Sequence, residues 1–300
     1  MDTEDVDARY AGLDTWPSQD VAAAILDGQL AAAAIVRSEA TSLARAADAA
    51  AERLARGSGR LIYAGAGASG RLAVQDGVEL FPTYGWPHER LVYLIAGGEP
   101  ALITSVEGAE DDGEGVARQM VDLALTENDV VISVAASGRT PWAISAARTA
   151  KAAGALVVGI SNNADTPLLA ASDHPIALPT GGEIVAGSTR MAAGTAQKIA
   201  LNTLSTAIMV RLNGTYSNLM VGLASTNLKL GARRLSILQR IVPVSDEEAE
   251  KALDATGQDI RAAVLVLGGQ TPEAAADLIA RHHGRLQAAM AEIGFEPEGP

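Results

Sequence analysis

Three short loops of this chain combine glycine with hydroxyl side chains, the residue types that suit a phosphate group. The loops are Gly65-Ala66-Gly67-Ala68-Ser69-Gly70-Arg71, Ala136-Ser137-Gly138-Arg139-Thr140 and Gly187-Ser188-Thr189-Arg190. Glycine lets the backbone approach a ligand closely, and a helix that starts at such a loop offers free N–H groups to an anion. Because this chemistry occurs three times, the sequence predicts a site for a small phosphorylated molecule. The predicted binding residues in the loops are Gly67, Ser69, Gly70, Arg71, Ser137, Gly138, Arg139, Thr140, Ser188 and Thr189.

The glycines allow two other interpretations. Gly65 to Gly70 also fits the dinucleotide pattern G-x-G-x-x-G, which requires an acidic residue at the end of the second strand. That strand ends in Ile95-Ala96-Gly97-Gly98, and the next acid is Glu99, which disfavours a nicotinamide or flavin site. Glycines also form tight turns between strands and helices, and Thr140 before Pro141 could be an ordinary helix N-cap.

Two glutamates are candidates for proton chemistry. Glu79 lies near the C-terminal end of the helix that the first loop opens, where the helix dipole favours a protonated carboxyl group. Glu110 belongs to the run Glu107-Gly108-Ala109-Glu110-Asp111-Asp112, whose composition alone is typical of an acidic surface loop. Lys198 is either a surface lysine or a contact to the bound anion. The four histidines lack the spacing of metal ligands, so we expect no metal and no cofactor.

Composition excludes several classes of protein. The 300 residues are 48% hydrophobic, enough for a packed core, and carry a net charge of −13, which argues against a nucleic-acid surface. The chain has no cysteine, which excludes disulfides and thiolate catalysis. An acidic N-terminus and apolar runs shorter than the roughly 18 residues of a membrane span predict a soluble, cytoplasmic protein without a membrane partner.

Short apolar runs alternate with helical patterns from residue 60 to residue 178. Strands are predicted at 60–64, 91–96, 130–135, 156–160 and 174–178, and helices at 69–80, 115–124, 141–153 and 166–171. Such alternation indicates an α/β fold with a doubly wound parallel sheet covered by helices on both faces. Ligands of such sheets bind beyond the carboxyl ends of the strands, where the first two loops lie.

Helices dominate the two ends of the chain. After an irregular arm, Ser18 is predicted to cap one or two helices over 19–56, with a possible break near Gly28. Long helices are predicted at 190–212 and 218–242, followed by three short ones at 247–256, 259–267 and 271–290, the first with a Ser245–Glu248 capping box. We therefore predict four segments: an arm with helices (1–56), a domain that binds the phosphorylated molecule (57–216), a linking helix (217–242) and a three-helix module with a tail (243–300).

Motifs spread over nearly the whole chain resemble one family. They are the three loops, Leu94-Ile95-Ala96-Gly97-Gly98, Val106-Glu107-Gly108-Ala109-Glu110-Asp111-Asp112, Gly194-Thr195-Ala196-Gln197-Lys198, Asn218-Leu219-Met220-Val221 and Ala224-Ser225-Thr226-Asn227. In this order they resemble the N-acetylmuramic acid 6-phosphate etherases, members of the sugar isomerase (SIS) fold group. The resemblance implies a cytoplasmic homodimer that recycles cell-wall amino sugars by cleaving a lactyl ether. It also implies that Glu79 and Glu110 are catalytic and that the C-terminal module is similar to ubiquitin-associated domains.

The chain departs from the family pattern at two places. Ala68 stands where the family usually has threonine, which removes one hydroxyl from the first loop. Gly77-Val78-Glu79-Leu80-Phe81-Pro82 replaces Ala-Ser-Glu-Cys-Pro-Pro, so the neighbours of Glu79 are bulkier and less polar.

Two alternatives of the same fold stay open at this point. One is a non-catalytic sugar-phosphate-binding regulator, similar to the vertebrate glucokinase regulator, against which both retained glutamates argue. The other is a sugar-phosphate isomerase, which would release no lactate. A DNA-binding regulator would need a basic helix-turn-helix segment, and the acidic N-terminus contains none.

Overall fold

A computed structural model describes residues 2–223 and 228–297 of the chain, which divides into two compact units. The first unit comprises residues 1–77 and 89–208, and the second comprises residues 78–88 and 209–300. The predicted boundary after residue 56 is therefore not a boundary between units, because the N-terminal helices belong to the same unit as the sheet. The segment around Glu79 belongs to the second unit, although it interrupts the first one in sequence.

The first unit is built on a five-stranded parallel sheet with the strand order 2-1-3-4-5. The strands are β1 (Leu61–Gly65), β2 (Leu91–Ile95), β3 (Val130–Ala135), β4 (Leu156–Ser161) and β5 (His174–Ala177). Every residue of β1, β3 and β4 is buried, whereas the edge strands β2 and β5 are partly exposed. The predicted parallel sheet is confirmed, with strand bounds within one residue of those predicted.

Helices cover both faces of this sheet. They are α1 (Ser18–Ser38), α2 (Ala40–Leu54), α3 (Gly67–Val78), α5 (Gly113–Asp122), α6 (Pro141–Ala152) and α7 (Pro167–Ala171). Apolar side chains of α5 and α6, among them Met120 and Trp142, pack with Ile62 and Val131 of the sheet. Alternate strand residues point to the opposite face, and α2 contacts β3, β4 and β5.

The N-terminal helices correct three predictions. The break lies at Glu39 and not near Gly28, which lies inside α1 with no atom within 4 Å of where its Cβ would be. Ser18 is the first residue of α1 and not its cap; the residue before it, Pro17, makes no side-chain capping bond. Among the described residues, α1 alone is long and apolar enough to cross a membrane, with a mean hydropathy of 1.4, contrary to the expectation of no such run. That finding depends on the length and the amino-acid composition of α1.

The helix α8 (Ala192–Arg211) ends in a hairpin where the sequence predicted a second long helix. Asn213 takes a positive φ of 63°, and Gly214 donates its N–H to the Met209 carbonyl, which closes the helix as left-handed C-caps do. The strands β6 (Thr215–Tyr216) and β7 (Leu219–Met220) follow and pair antiparallel around Ser217. The predicted helix over 218–242 is therefore shorter; α9 spans Leu228–Ile241, and the Ala224-Ser225-Thr226-Asn227 motif lies outside the described residues.

The second unit has its own apolar core. It contains α4 (Leu80–Tyr84), the hairpin, α9, α10 (Asp246–Ala255), α11 (Ile260–Leu267), α12 (Pro272–Arg281) and α13 (Leu286–Glu292). The capping box of Ser245 and Glu248 is confirmed. The predicted third helix of the module is two helices, because His283 and Gly284 both adopt positive φ and Gly284 donates to the Ile279 carbonyl. The described C-terminal segment thus contains four short helices after α9.

Candidate active site

The first two glycine loops meet at the point where the chain reverses its direction of winding across the sheet. After β1 the chain crosses to β2 on one side, and β3 lies on the other side of β1, with Gly65 opposite both Ile95 and Val134. A sheet of this strand order opens a crevice between the carboxyl ends of β1 and β3. Residues 66–70 and 136–140 leave the sheet at that crevice, as the sequence predicted.

The glycines of the first loop have two different functions. Gly65 and Gly70 are packing residues: a Cβ on Gly70 would lie 2.9 Å from the Gly65 carbonyl group, so the helix α3 can approach the strand only without side chains there. Gly67 has a positive φ of 53°, is exposed, and has open space where its Cβ would be. Ser69 is buried in the first turn of α3. Of these residues, Gly67 is the one that offers its backbone to a ligand.

A cleft of about 190 Å³ opens beside the first loop and contains one of the two candidate glutamates. Gly67, Arg71 and Glu110 line it, together with Ala66, Ala96, Ala101 and residues 105–109. Arg71 does not point its charge freely into this cleft, since its Nε donates to the Ala101 carbonyl at 2.7 Å and its Nη2 to the Thr104 carbonyl at 3.4 Å. The arginine therefore fastens the segment after β2, which carries Glu110 in a short 3-10 turn.

The second loop is held by hydrogen bonds to the end of β4 and the start of α7. Gly138 has a φ of +64°, and a Cβ there would lie 2.4 Å from both Ser161 Oγ and Thr166 Oγ1. Ser137 Oγ accepts the Arg139 N–H at 3.1 Å. Thr140 is the residue before α6, but its hydroxyl makes no capping hydrogen bond to that helix. The interpretation of its hydroxyl as an ordinary helix cap is therefore wrong. Gly138 is required by the conformation and by the close neighbours of this loop.

The third loop is closed by a carboxylate that the sequence analysis did not identify. Glu183 is buried, and its two oxygens accept the N–H groups of Ala192 at 3.0 Å and Ala193 at 2.9 Å, at the start of α8. This internal anion occupies the helix N-terminus that could otherwise bind a phosphate. Ser188 and Thr189 are half-buried in the loop that Glu183 closes, which leaves their hydroxyls rather than the helix end as candidate donors.

A buried polar cluster connects α3 with α8 and was also missed. Asp76 accepts hydrogen bonds from Tyr63 Oη at 2.7 Å, Asn202 Nδ2 at 2.5 Å and Ser205 Oγ at 3.0 Å. Burial, reinforced by the charge of Asp76, raises the pKa of the Tyr63 hydroxyl well above its usual value. The predicted residue Lys198 is exposed and donates to Asn202 Oδ1. Residues 198, 202 and 205 share one face of α8, the spacing that could have indicated the cluster.

Glu79 is the residue between α3 and α4, and it is exposed. It follows the C-terminus of α3, as predicted, but it also precedes the N-terminus of α4, where a carboxylate is favoured. The helix-dipole argument from the sequence is therefore incomplete. Of its less polar neighbours, Leu80 is buried, and the centroid of the Phe81 ring lies 4.0 Å from that of the His88 ring.

In residues 2–223 and 228–297, no three His, Cys, Asp or Glu side chains are grouped so that they could hold a metal ion. The chemistry available at the cleft is that of carboxylates, hydroxyls, backbone N–H groups and the Arg71 guanidinium. This combination suits proton transfer on a ligand that is anchored through a phosphate.

Comparisons with known proteins identify the family. The chain matches the N-terminal SIS domain of glucokinase regulatory protein over residues 42–151 and the SIS domain over residues 106–207. It is 50% identical to the N-acetylmuramic acid 6-phosphate etherase of Deinococcus radiodurans over 88% of this chain and 87% of that one. Its identity to the etherase of Streptomyces avermitilis is 46%, over 97% and 94% of the two chains. A phosphoheptose isomerase structure from Francisella tularensis aligns with 65% of this chain and 98% of that one, at 19% identity and a TM-score of 0.49. On these identities and coverages, the chain belongs to the N-acetylmuramic acid 6-phosphate etherase family.

Proposed function

We propose that this protein is a lyase that cleaves the D-lactyl ether of N-acetylmuramic acid 6-phosphate, giving N-acetylglucosamine 6-phosphate and D-lactate in cell-wall amino-sugar recycling. One observation carries the proposal: Glu110 shares a cleft with Gly67 and Arg71, beside the first glycine loop and the segment that follows β2, in a chain of this family. A carboxylate beside loops that suit a phosphate is the arrangement that proton abstraction from a sugar phosphate requires.

The reaction proceeds by elimination and then addition of water. In the ring-opened sugar, the C1 aldehyde acidifies the C2 proton, which Glu110 removes. The electron pair of that C–H bond forms a C2–C3 double bond while the C3–oxygen bond breaks, and Glu79 donates a proton to the departing lactate oxygen. Water then adds its oxygen to C3, and C2 regains a proton. Each transfer by a placed carboxyl group accelerates its step by about 10² to 10⁴.

The phosphate is held at a distance from the bond that breaks. The donors we assign to it are the hydroxyls of Ser69, Ser137, Thr140, Ser188 and Thr189, the loop backbone at Gly67, and the side chains Arg71, Arg139 and Lys198. Gly70 and Gly138 shape their loops, since their own N–H groups donate to the Ala66 and Ala135 carbonyls. Binding energy from this remote group orients the reacting carbons against the glutamates, which raises the rate as well as the affinity. No cofactor takes part in the proposed steps.

We further propose a cytoplasmic homodimer. The helix α1 supports it, because Leu26 and Leu30 are 62% and 71% exposed on a helix whose most apolar stretch is only 11% buried. An apolar surface of this kind is typical of a protein–protein interface. Sedimentation of the wild type and of Leu30→Glu tests the dimer: the variant should sediment as a monomer.

Lactate release from N-acetylmuramic acid 6-phosphate tests the activity. The wild type should release D-lactate, and Glu79→Gln and Glu110→Gln should each be slower by at least about 100-fold. Glu89→Gln and Glu114→Gln are the matched controls, since both replace exposed glutamates near in sequence and should retain full activity.

Solvent isotope exchange separates the two roles. In deuterated water, Glu79→Gln should still exchange the C2 proton of the substrate, because the base is present, whereas Glu110→Gln should not. Exchange by Glu110→Gln but not by Glu79→Gln would reverse the assignment.

The alternative with an observation in its favour is a non-catalytic regulator, because residues 42–151 match the SIS domain of glucokinase regulatory protein. Tight binding of the sugar phosphate without any lactate release would select it. Lactate from the wild type, lost in both glutamine variants, would reject it.

A further inference from the structure

The N-terminal arm of the first unit is anchored by a buried threonine. Thr3 is fully buried, although residues 4–6 beside it are exposed. Its N–H donates to Asn163 Oδ1 at 3.0 Å, and its Oγ1 accepts a hydrogen bond from Asn163 Nδ2 at 2.9 Å. These two bonds fix both ends of the Asn163 amide. Full burial and these two bonds hold Thr3, and the arm around it, against Asn163.

Asn163 passes this constraint to the second glycine loop. Its Nδ2 also donates to the Ser137 carbonyl at 3.4 Å, and its own N–H donates to Ser161 Oγ at 3.1 Å. On the other side of the same peptide unit, the Gly138 N–H donates to the Ala135 carbonyl at 3.1 Å. The peptide between Ser137 and Gly138 is thus held at both of its polar atoms, and one of the two bonds depends on an amide that Thr3 orients.

The arm also touches the segment that leads to the third loop. A Cβ on Gly182 would lie 2.6 Å from the Asp5 carbonyl oxygen, and one on Gly187 would lie 3.7 Å from Glu4 Oε2. Residues 2–7 therefore lie beside Asn163, which bonds to the second predicted phosphate loop, and beside Gly182 and Gly187, which lead into the third. A free tail would be expected to contact neither.

We propose that Thr3 is a positioning residue for the sugar phosphate: through Asn163 it sets the Ser137–Gly138 peptide, and with it the direction of the donors of the second loop. The inference rests on the proposed function, because it assigns the phosphate to that loop. Thr3 touches no reacting atom. Removing its hydroxyl should therefore weaken phosphate binding while leaving the proton transfers intact.

The test compares Thr3→Val, which removes the hydroxyl, with Thr3→Ser, which keeps it. Thr15→Val is the matched control, because it removes from the same arm a threonine hydroxyl that donates to the Gly12 carbonyl. Three quantities are measured for each protein: KM and kcat for lactate release, the inhibition constant of inorganic phosphate, and the Kd of N-acetylglucosamine 6-phosphate by calorimetry. Thermal melting monitors the fold.

In Thr3→Val, we expect KM, the phosphate inhibition constant and the Kd to rise together by about three- to tenfold, the equivalent of one hydrogen bond, with kcat within about twofold of wild type. Thr3→Ser and Thr15→Val should match the wild type. In an Asn163→Ala background, Thr3→Val should have no further effect, because the connection is already broken.

Other results overturn the inference. Two results would refute a positioning role toward the phosphate. In one, Thr3→Val leaves KM, the phosphate inhibition constant and the Kd unchanged; in the other, its kcat falls while KM and the Kd stay constant. If the wild type releases no lactate but binds the sugar phosphate, the proposed reaction fails and the Kd comparison still decides the inference. A wild type that binds no sugar phosphate would overturn both.

Discussion

Replacing Gly138 by alanine tests whether the second loop must keep its observed shape. The residue has a φ of +64°, and an added Cβ would lie 2.4 Å from Ser161 Oγ and Thr166 Oγ1. A side chain at positive φ costs about 1–2 kcal/mol, and forcing a methyl group into a filled site costs about 1–3 kcal/mol more. The expected loss of stability is therefore about 2–5 kcal/mol, with the loop displaced because neither neighbour can withdraw freely: Ser161 Oγ donates to the Asn163 carbonyl, and Thr166 Oγ1 caps α7.

Gly154→Ala is the control that separates strain from displacement. Gly154 also has a positive φ, 87°, but no atom lies within 4 Å of its Cβ position. The substitution Gly154→Ala should lower the free energy of unfolding by the backbone strain alone, about 1–2 kcal/mol, and should displace no loop. Urea denaturation measures both free energies of unfolding, and lactate release measures the effect on the site. Since a displacement of about 1 Å can cost roughly 100-fold in rate, kcat/KM should fall by 10- to 100-fold in Gly138→Ala and stay constant in Gly154→Ala.

Equal free energies of unfolding for the two variants, with kcat/KM unchanged in Gly138→Ala, would refute the argument. That result would mean that the loop accommodates a methyl group by moving without consequence, and that its conformation does not matter for the substrate.

Three further predictions concern other parts of the first unit. Burial alone would raise the pKa of the Asp129 carboxyl, but hydrogen bonds from the Arg60 side chain and from two backbone N–H groups outweigh it and lower that pKa. Asp129→Asn should therefore lower the free energy of unfolding by about 3–5 kcal/mol near neutral pH. Its difference from the wild type should become smaller as the pH falls below about 4, because the wild-type carboxylate is then protonated. A difference that urea denaturation finds independent of pH would contradict this. Glu183→Gln keeps one acceptor for the start of α8 and loses the charge, so it should destabilise the protein by about 1–2 kcal/mol and raise KM; an unchanged KM would mean that the third loop keeps its place without the carboxylate. Ala68→Thr restores a hydroxyl to the first loop and should lower KM by about two- to tenfold, whereas an unchanged KM would place that hydroxyl away from the ligand.

The sheet of the first unit was predictable because its signals are local. Each strand is a short apolar run, and glycines follow β1, β2 and β3, so β3 has the bounds that the sequence predicts. The relation between strand order and ligand position then places the first two loops at one crevice without further information. Local patterns were enough wherever the chain alternates strand and helix.

The parts that were wrong depend on backbone conformations that the sequence signals weakly. Asn213, Ser217 and His283 adopt positive φ and end or turn the chain in the second unit, although none of them is a glycine. Positive φ is uncommon in residues other than glycine, even though asparagine and histidine adopt it more often than most, so the apolar periodicity extends the predicted helices through these positions.

The missed site residues are distant from their partners in sequence. Thr3 and Asn163 are 160 residues apart, and Asp76 and Asn202 are 126 residues apart. No periodicity within either segment predicts such pairs, because the strand order brings them together. Glu183 was missed for a related reason, since a buried acid before a glycine-rich loop has the same local appearance as an exposed one.

The acidic character of the chain agrees with a site whose donors to the phosphate are mostly neutral. The protein has a net charge of −13, and Arg71, the arginine of the candidate cleft, donates its N–H groups to two backbone carbonyls. A dense group of cations beside the phosphate would also stabilise the ionised form of a neighbouring carboxylate, which would make it a weaker proton acceptor. Hydroxyls and loop N–H groups hold an anion without that effect. A general base that must remove a carbon-bound proton close to a phosphate is therefore better served by glycine, serine and threonine loops than by a basic pocket.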